Sequence, residues 1–436
     1  MRRGTYVAAS AALAAGGMLL VPGTARAQIH IVDPVELEVA VEENTFFAAH
    51  PSYKPTAMMV VVASGNGART SYYGYNCTSS QLFGIGSNTK TFTAMLAAMQ
   101  DQEGGMTLDS TLASWVSDST CTYHTVCVDP GICIPEPSCT VPWENSATIT
   151  LRDLADHFSG LPKNPPHPDE TSKEALYSDV FTGVDGYGEG DQTPQAPLGE
   201  GHYNYSNWGF AVLGNVLADY HYGHIGTESG PAYWRSLLAE RITGPLAMTQ
   251  TVGGAPQNEP PAGAIGGLDC TGNNGVSGEP FSCQPTTGSL WCFDDSTGWA
   301  AGGMWMDAVD VGTWLNVNLG NWNVVNAPAE MRTAVTGYLH TYRHPDSGQG
   351  LAWAFDSTGT IKSTAGNAMT AMWKDGDSPG FHSYVVMTPG DINGGAPNRA
   401  VAIMVNFDSN PDQTTITTQV DDIADRVLQD LVTEGL

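Results

Sequence analysis

Two residues three positions apart, Ser87 and Lys90, have the types and spacing best suited to nucleophilic chemistry in this sequence. A serine hydroxyl is a weak nucleophile at neutral pH and needs a neighbouring base to take its proton. Apolar residues at Phe92, Met95 and Leu96 predict a helix, on which positions three apart share a face. The pattern therefore predicts a nucleophile and its base at the start of a helix, where free N–H groups favour negative charge.

A capping serine followed by an exposed lysine would give the same pattern. The chain has only six lysines, however, and only Lys90 completes Ser-x-x-Lys. Two further patterns occur once each and in a fixed order. Tyr205-Ser206-Asn207 stands at the start of a predicted helix, and Lys374-Asp375-Gly376 precedes the predicted strand Ser383–Thr388. Three unique patterns in one order favour a catalytic origin over coincidence.

The three patterns resemble those of the class C β-lactamase family, which also contains D-alanyl-D-alanine carboxypeptidases, D-aminopeptidases and esterases. Further segments resemble motifs of the same family, and they are Ile149–Leu154 with His157–Pro162, Pro245–Met248, Ala300–Met304 and Ser378–Phe381. The resemblance covers most of residues 36–436. It implies a β-lactamase/transpeptidase-like α/β fold. In that fold an antiparallel sheet is flanked by the N- and C-terminal helices, and a mostly helical domain is inserted.

The resemblance also implies roles for the matching residues. Ser87 would be the acylated nucleophile, and Lys90 and Tyr205 would share the base role. Asn207 would hold a substrate amide, while Lys374, Asp375 and Gly376 would line the site. The backbone N–H groups of Ser87 and Asp377 would form an oxyanion hole.

A tyrosine phenol titrates near pH 10, and lowering its pKa to neutrality takes about 4 kcal/mol. Two adjacent ammonium groups can supply stabilisation of that order to a phenolate. We therefore expect Tyr205 to act as the base that deprotonates Ser87.

Asp375 stands where the family has threonine. If its carboxylate faced the cleft, a substrate carboxylate about 4 Å away would meet roughly 4 kcal/mol of repulsion. That repulsion would favour neutral esters, amides or amine-bearing D-peptides over penicillins. If Asp375 pointed outward, the argument would not apply.

Other residues admit competing interpretations. His157, His202 and His382 would allow a Ser/His arrangement, but Lys90 and Tyr205 already supply a base, so we expect structural roles for the histidines. Trp353 and Trp373 are expected in the core rather than on the floor of a cleft. We expect no cofactor and no metal.

All eight cysteines follow residue 76, and an even count in an exported chain predicts disulfide bonds. A zinc site is the alternative, but the five-residue gaps between Cys121, Cys127, Cys133 and Cys139 are wider than usual ligand spacing. The pairing cannot be deduced from sequence.

Residues 1–27 have a basic start, an apolar run and small residues around Ala27, which predicts a secretory signal peptide. A membrane anchor is the alternative, but the run is short. Cleavage would make the formal net charge three units more negative than the −28 of the full chain. Such a surface disfavours nucleic acid and anionic lipid as partners. We expect a secreted or periplasmic protein with no stable membrane span.

The predicted domain after the signal peptide is residues 28–436. Its α/β part would comprise about 28–105 and 330–436, and its helical part with cysteine-rich insertions about 106–329. The sequence thus predicts an exported serine hydrolase that cleaves an amide or ester bond in a small-molecule or peptide substrate, including cell-wall-derived ones. The alternative is an impaired sensor that binds cell-wall fragments without turnover.

Overall fold

The computed structural model describes residues 34–49, 57–65, 69–116, 122–129, 132–138, 148–164, 202–223, 233–253, 261–266, 268–271, 282–285, 298–378, 380–406 and 414–435. The predicted signal peptide and its cleavage site lie outside the described residues. So do residues 165–201.

The fold is organised around a six-stranded antiparallel sheet. Its strands, in spatial order, are β2 (Arg69–Tyr75), β1 (Met58–Ser64), β12 (Arg399–Val405), β11 (Phe381–Thr388), β10 (Ala371–Ser378) and β9 (Ala354–Asp356). Apolar runs such as Met58–Ala63 form the central strands because both of their faces are buried. The strands therefore come from the two ends of the chain, as the sequence predicts.

One face of the sheet is covered by the two terminal helices, α1 (Pro34–Ala49) and α9 (Thr414–Glu434). Ile423, Val427 and Leu431 repeat at a spacing of four on α9, so they form one apolar stripe on the sheet. Val60 and Ile403 project from the sheet into the same cluster. The predicted flanking helices are confirmed.

The opposite face carries the remaining helices and a larger apolar core. These helices are α2 (Thr89–Glu103), α3 (Leu151–Ala155), α4 (Asn207–Tyr222), α5 (Trp234–Leu238), α6 (Trp299–Gly302), α7 (Ala308–Asn318) and α8 (Ala329–Ala334). The short strands β3 (Phe83–Gly84) and β8 (Trp305–Met306) pair beside them. No helix in the described ranges is long and apolar enough to cross a bilayer. The predicted domain boundary near residue 106 stays a prediction.

Both cysteine-rich stretches contain a hairpin that sequence reasoning did not find. Strands β4 (Thr122–Asp129) and β5 (Ile132–Ser138) form the first, and β6 (Leu268–Thr271) and β7 (Ser282–Pro285) form the second. The stretches lack the alternation of apolar and polar residues that predicts a strand.

The hairpin registers bear on the predicted disulfide bonds. They place Cys127 opposite Cys133 and Cys270 opposite Cys283, although the pairing stays a prediction. Cys77, in contrast, is a free thiol whose sulfur lies 3.0 Å from the carbonyl oxygen of Met58. Burial raises its pKa to about 11, so it is a poor nucleophile.

The segment before α2 packs directly on strand β10. A Cβ atom added to Gly376 would lie 2.1 Å from the carbonyl oxygen of Ile85 and 2.9 Å from the amide nitrogen of Asn88. Such distances are shorter than any van der Waals contact, so only glycine lets the two backbones meet.

We therefore expect Gly376→Ala to destabilise the protein by about 1–3 kcal/mol, because the added methyl group forces this segment away from β10. Gly337→Ala is the matched control, since its added Cβ would meet only Thr333 Cγ2 at 3.9 Å. Chemical denaturation of both variants measures the difference. Equal stabilities would show that the contact at Gly376 relaxes without cost.

Candidate active site

Lys90 lies fully buried at the centre of the site. Its Nζ atom is 2.9 Å from Ser87 Oγ, 2.7 Å from Asn207 Oδ1 and 2.5 Å from the carbonyl oxygen of Ala301. The amide and carbonyl oxygens can only accept hydrogen bonds. Two N–H groups of Lys90 are therefore used by Asn207 and Ala301, and the third position of its nitrogen faces the Ser87 hydroxyl.

Ser87 lies in a single 3₁₀ turn, Gly86–Asn88, that leads directly into α2. Because Lys90 stands in the first turn of α2, its side chain lies close to Ser87. The sequence placed Ser87 in the first turn of the α-helix, and the α-helix begins two residues later, at Thr89. The adjacent segment at α6 is fixed to α2 by Thr93 Oγ1, which donates to the carbonyl oxygen of Ala300 at 2.8 Å. The Ala301 carbonyl is thus held where Lys90 needs an acceptor.

Tyr205 approaches Ser87 from the other side. Its phenol oxygen lies 2.5 Å from Ser87 Oγ. The buried ring of His157 packs against the Tyr205 ring, with centroids 4.4 Å apart. The backbone N–H of Ser206 donates to Nδ1 of the same histidine at 3.0 Å. His157 therefore positions Tyr205 and does not contact Ser87 as a base would.

The protonation of the two candidate bases follows from their surroundings. Burial, followed by the charge of Lys374 and the weaker effect of Lys163, lowers the pKa of Lys90 far below that of a free lysine. Burial raises the pKa of Tyr205, although the Lys374 ammonium opposes the shift. The expected phenolate at Tyr205 is therefore not favoured: burial disfavours its charge more than Lys374 stabilises it. A neutral amine at Lys90 and a neutral phenol at Tyr205 fit the site.

Asn207 begins α4 and connects Lys90 to a residue that sequence reasoning missed. Its Oδ1 accepts from Lys90, and its Nδ2 donates to Asn164 Oδ1 at 2.8 Å. Asn164 is partly buried and lies two residues after the segment His157–Pro162 that the resemblance already marked. Its position next to that segment is the signal by which it could have been found.

Lys374 lies on β10 with its ammonium 5.3 Å from the centre of the Tyr205 ring. The ammonium is occupied by its own neighbour: Nζ is 2.6 Å from Asp375 Oδ1 and 2.7 Å from the Asp375 carbonyl oxygen. Alternation along the strand places the Cβ atoms of Lys374 and Asp375 on opposite faces. Asp375 therefore lies across the strand from the nucleophile, and its charge acts on the site through Lys374.

The predicted second oxyanion donor, the N–H of Asp377, lies close to the 3₁₀ turn Gly86–Asn88 that contains Ser87. A Cβ added to Gly86, whose φ is +50°, would lie 2.4 Å from the Asp377 carbonyl oxygen and 2.7 Å from its nitrogen. The backbone of Asp377 therefore runs directly against the residue before Ser87, and the assignment of its N–H to an oxyanion hole stays a prediction.

Comparisons with known proteins identify the family of the chain. The model of the family described as Beta-lactamase matches residues 48–425. The chain belongs to the Beta-lactamase family. A search of curated protein sequences finds no significant match.

Solved structures similar to this Beta-lactamase-family chain support the fold. They include a class C beta-lactamase (TM-score 0.64, 18% identity, covering 91% of this chain and 96% of that one). A class C beta-lactamase in complex with cefoxitin has a TM-score of 0.64 and 17% identity, covering 91% and 99% of the two chains. A Beta-Lactamase/D-Alanine Carboxypeptidase from Pseudomonas syringae has a TM-score of 0.63, 17% identity and the same coverage. At these identities the likeness shows the fold, and the predicted β-lactamase/transpeptidase-like architecture is confirmed.

The other histidine and tryptophan residues considered from the sequence do not line the site. His202 is exposed, and Trp353 is fully buried in the core. Trp373 packs on the sheet face that carries the terminal helices, so neither tryptophan lines the cleft. Among the described residues, no group of three histidine, cysteine or acidic side chains could hold a metal ion.

His382 forms a buried ion cluster beside the site. Its Nδ1 lies 2.7 Å from Asp377 Oδ1, and its Nε2 lies 2.8 Å from Asp421 Oδ1 on α9. Burial lowers the pKa of an imidazole, but these two hydrogen bonds outweigh it and raise the pKa of His382 to about 10. His382 is therefore an imidazolium that ties the end of β10 to the C-terminal helix.

This cluster predicts a dependence of stability on pH. The folded-state pKa of about 10 exceeds the ordinary value of 6.5. The contribution of His382 is therefore fully present below pH 6.5 and is lost as pH rises through about 10. We expect the free energy of unfolding to fall across this range, and to fall less steeply in His382→Gln. Urea denaturation at intervals from pH 6 to pH 10.5 measures it, and parallel curves for the two proteins would contradict the assignment.

Proposed function

We propose that this protein is an exported serine hydrolase that cleaves an amide or ester bond through an acyl-enzyme on Ser87. The proposal is carried by one observation: Ser87 Oγ lies within hydrogen-bond distance of both the Lys90 amine and the Tyr205 phenol. Ser87 and Tyr205 are partly exposed whereas Lys90 is buried. A substrate carbonyl can therefore reach Ser87 Oγ while Lys90 stays shielded from solvent.

The geometry supports Lys90 as the general base. As a neutral amine it has two N–H groups and one lone pair, and its three contacts match that count. The N–H groups donate to Asn207 and Ala301, and the lone pair accepts the proton of Ser87. Tyr205 then donates its phenolic hydrogen bond to Ser87 Oγ and keeps the hydroxyl oriented.

The reaction follows from these positions. Ser87 Oγ bonds to the carbonyl carbon as its proton passes to Lys90 Nζ. The oxyanion that forms accepts hydrogen bonds from the backbone N–H groups of Ser87 and Asp377. Collapse of this intermediate breaks the bond to the leaving group, which takes a proton from the Lys90 ammonium, directly or through the Tyr205 hydroxyl. Water then repeats the sequence on the ester and releases the acid.

The sequence also supports a location and a substrate class for this enzyme. The signal peptide predicted at residues 1–27 supports export, and the strongly negative charge supports a small-molecule or peptide substrate, cell-wall fragments included. No nucleic acid partner is proposed. The most similar structures include one named as a beta-lactamase/D-alanine carboxypeptidase, which supports amide or ester acyl transfer as the chemistry.

The first test is acylation followed by turnover. Incubation with p-nitrophenyl acetate is expected to add one acetyl group to Ser87, seen by intact mass and peptide mapping. p-Nitrophenol release should then continue past one equivalent per protein. Ser87→Ala should abolish both signals. Release that stops after one equivalent would favour the sensor that binds without turnover, and no acetylated Ser87 at all would overturn the proposal.

The second test separates the two bases. Lys90→Arg keeps a cation but cannot accept a proton at working pH, so acylation should fall by about 10²- to 10⁴-fold. Tyr205→Phe keeps the Lys90 amine, so the factor by which its acylation rate falls should be at least ten times smaller than in Lys90→Arg. The rate for the unsubstituted protein should rise with pH as Lys90 loses its proton, with a midpoint far below that of free lysine.

Lys362→Arg is the control for the lysine exchange, because Lys362 is exposed. Stopped-flow acylation rates measured on folded protein, checked by circular dichroism, give the comparison. A loss in Tyr205→Phe as large as that in Lys90→Arg would instead assign the proton transfer to the phenol.

A further inference from the structure

We infer that the ion pair between Lys374 and Asp375 makes this site selective for neutral or cationic substrates and disfavours substrates with a carboxylate near the reacting carbonyl. This inference rests on the proposed acyl transfer at Ser87 and concerns the substrate class of that same site.

The lysine that faces the nucleophile is occupied from within its own strand. Lys374 is 4% exposed, and its Nζ contacts both the carboxylate and the carbonyl oxygen of Asp375. An ammonium has three donors, so two of them are used before any substrate arrives. A substrate carboxylate at Lys374 would have to compete with the partner that the chain itself supplies.

The pair is stable in charge as well as in geometry. Burial alone would lower the pKa of Lys374, but the Asp375 carboxylate outweighs it and holds the pKa above its ordinary value. Burial would raise the pKa of Asp375, but the Lys374 ammonium holds it below its usual range. Both groups are therefore charged at every pH at which the site would work, and their net charge is zero.

The ion cluster of His382, next to this pair, carries more negative than positive charge. The His382 imidazolium lies between two carboxylates, those of Asp377 and Asp421, so this cluster has a net charge of −1. The Asp375 side chain is 45% exposed, but its Cβ lies on the opposite face of β10 from Ser87, so its charge acts on the site through Lys374. An anion approaching β10 thus meets a neutral pair and a negative cluster, and a cation meets no net positive charge there.

One other cation bears on the site. Lys163 is exposed and is among the charges that lower the pKa of Lys90. Its backbone carbonyl accepts the N–H of Asn207 at 2.7 Å, which places its segment beside the start of α4. If Lys163 bound a substrate carboxylate, the charge preference of the site would be reversed, so the experiment includes this residue.

The test uses three p-nitrophenyl esters that share a three-methylene acyl chain. They end in a carboxylate, a carboxamide or a trimethylammonium group. We expect kcat/KM to be lowest for the carboxylate ester in the unsubstituted protein. In Asp375→Asn, which removes the negative charge that neutralises the Lys374 ammonium, the ratio of kcat/KM for the carboxylate ester to that for the carboxamide ester should rise about tenfold or more.

The readout is a ratio within one protein, so partial loss of folding or of Ser87 reactivity cancels. Glu434→Gln is the matched control: it removes one exposed carboxylate 13 residues beyond Asp421, which is about 20 Å along α9, and should leave the ratio unchanged.

Two results would overturn the inference. One is an unchanged ratio in Asp375→Asn. The other is a preference for the carboxylate ester that disappears in Lys163→Gln, which would make Lys163 the anion-binding residue. Failure of all three esters to acylate Ser87 would instead count against the proposed hydrolase, so the two failures are distinguishable.

Discussion

The hydrogen bonds around the Lys90 nitrogen are the constraint on which the rest of the site depends. A lysine with no exposed surface is costly to keep charged, and here two acceptors and one hydroxyl surround it in the geometry of a neutral amine. Each partner comes from a different part of the chain: Ser87 from the turn before α2, Asn207 from the start of α4 and Ala301 from α6. The proposed base is therefore positioned by the packing of three elements.

The sheet supplies the fixed surface against which these elements are placed. Strand β10 carries Lys374 at the site. Because position 376 of this strand is glycine, the backbone of the turn that contains Ser87 can pack directly against the strand. The side chain of Ser383 on β11 donates to the carbonyl oxygen of Ile85 at 2.8 Å and accepts from Asn88 Nδ2 at 2.8 Å. These contacts join residues almost 300 positions apart in sequence, and they keep the nucleophile at the edge of a rigid sheet.

Charge is arranged differently on the two sides of Ser87. On the side of α4 and α6, burial opposes positive charge and lowers the pKa values of Lys90 and His157 far below their ordinary range. On the side of β10, charge is retained but paired, in Lys374 with Asp375 and in His382 with Asp377 and Asp421. The proposed proton transfer belongs to the first side and the inferred selection of substrate charge to the second.

The sequence by itself determined the residue types, their order and most of the elements that carry them. Ser-x-x-Lys on an apolar-periodic helix, the Tyr-x-Asn at a helix start, and terminal strands with flanking helices are local patterns, and the structure contains each of them. The sequence led us to expect Tyr205 as the base, whereas burial raises the pKa of Tyr205 and lowers that of Lys90. A pKa depends on burial and on neighbours that only folding brings together.

Nor could the sequence show that Asp375 pairs with Lys374, that Asn164 reaches Asn207, or that His382 lies between two carboxylates. These contacts depend on strand register and on side-chain direction, which are properties of the packed chain. The pattern of residues fixed which chemistry was available, and the tertiary structure decided which group is neutral, which is charged and which is already occupied.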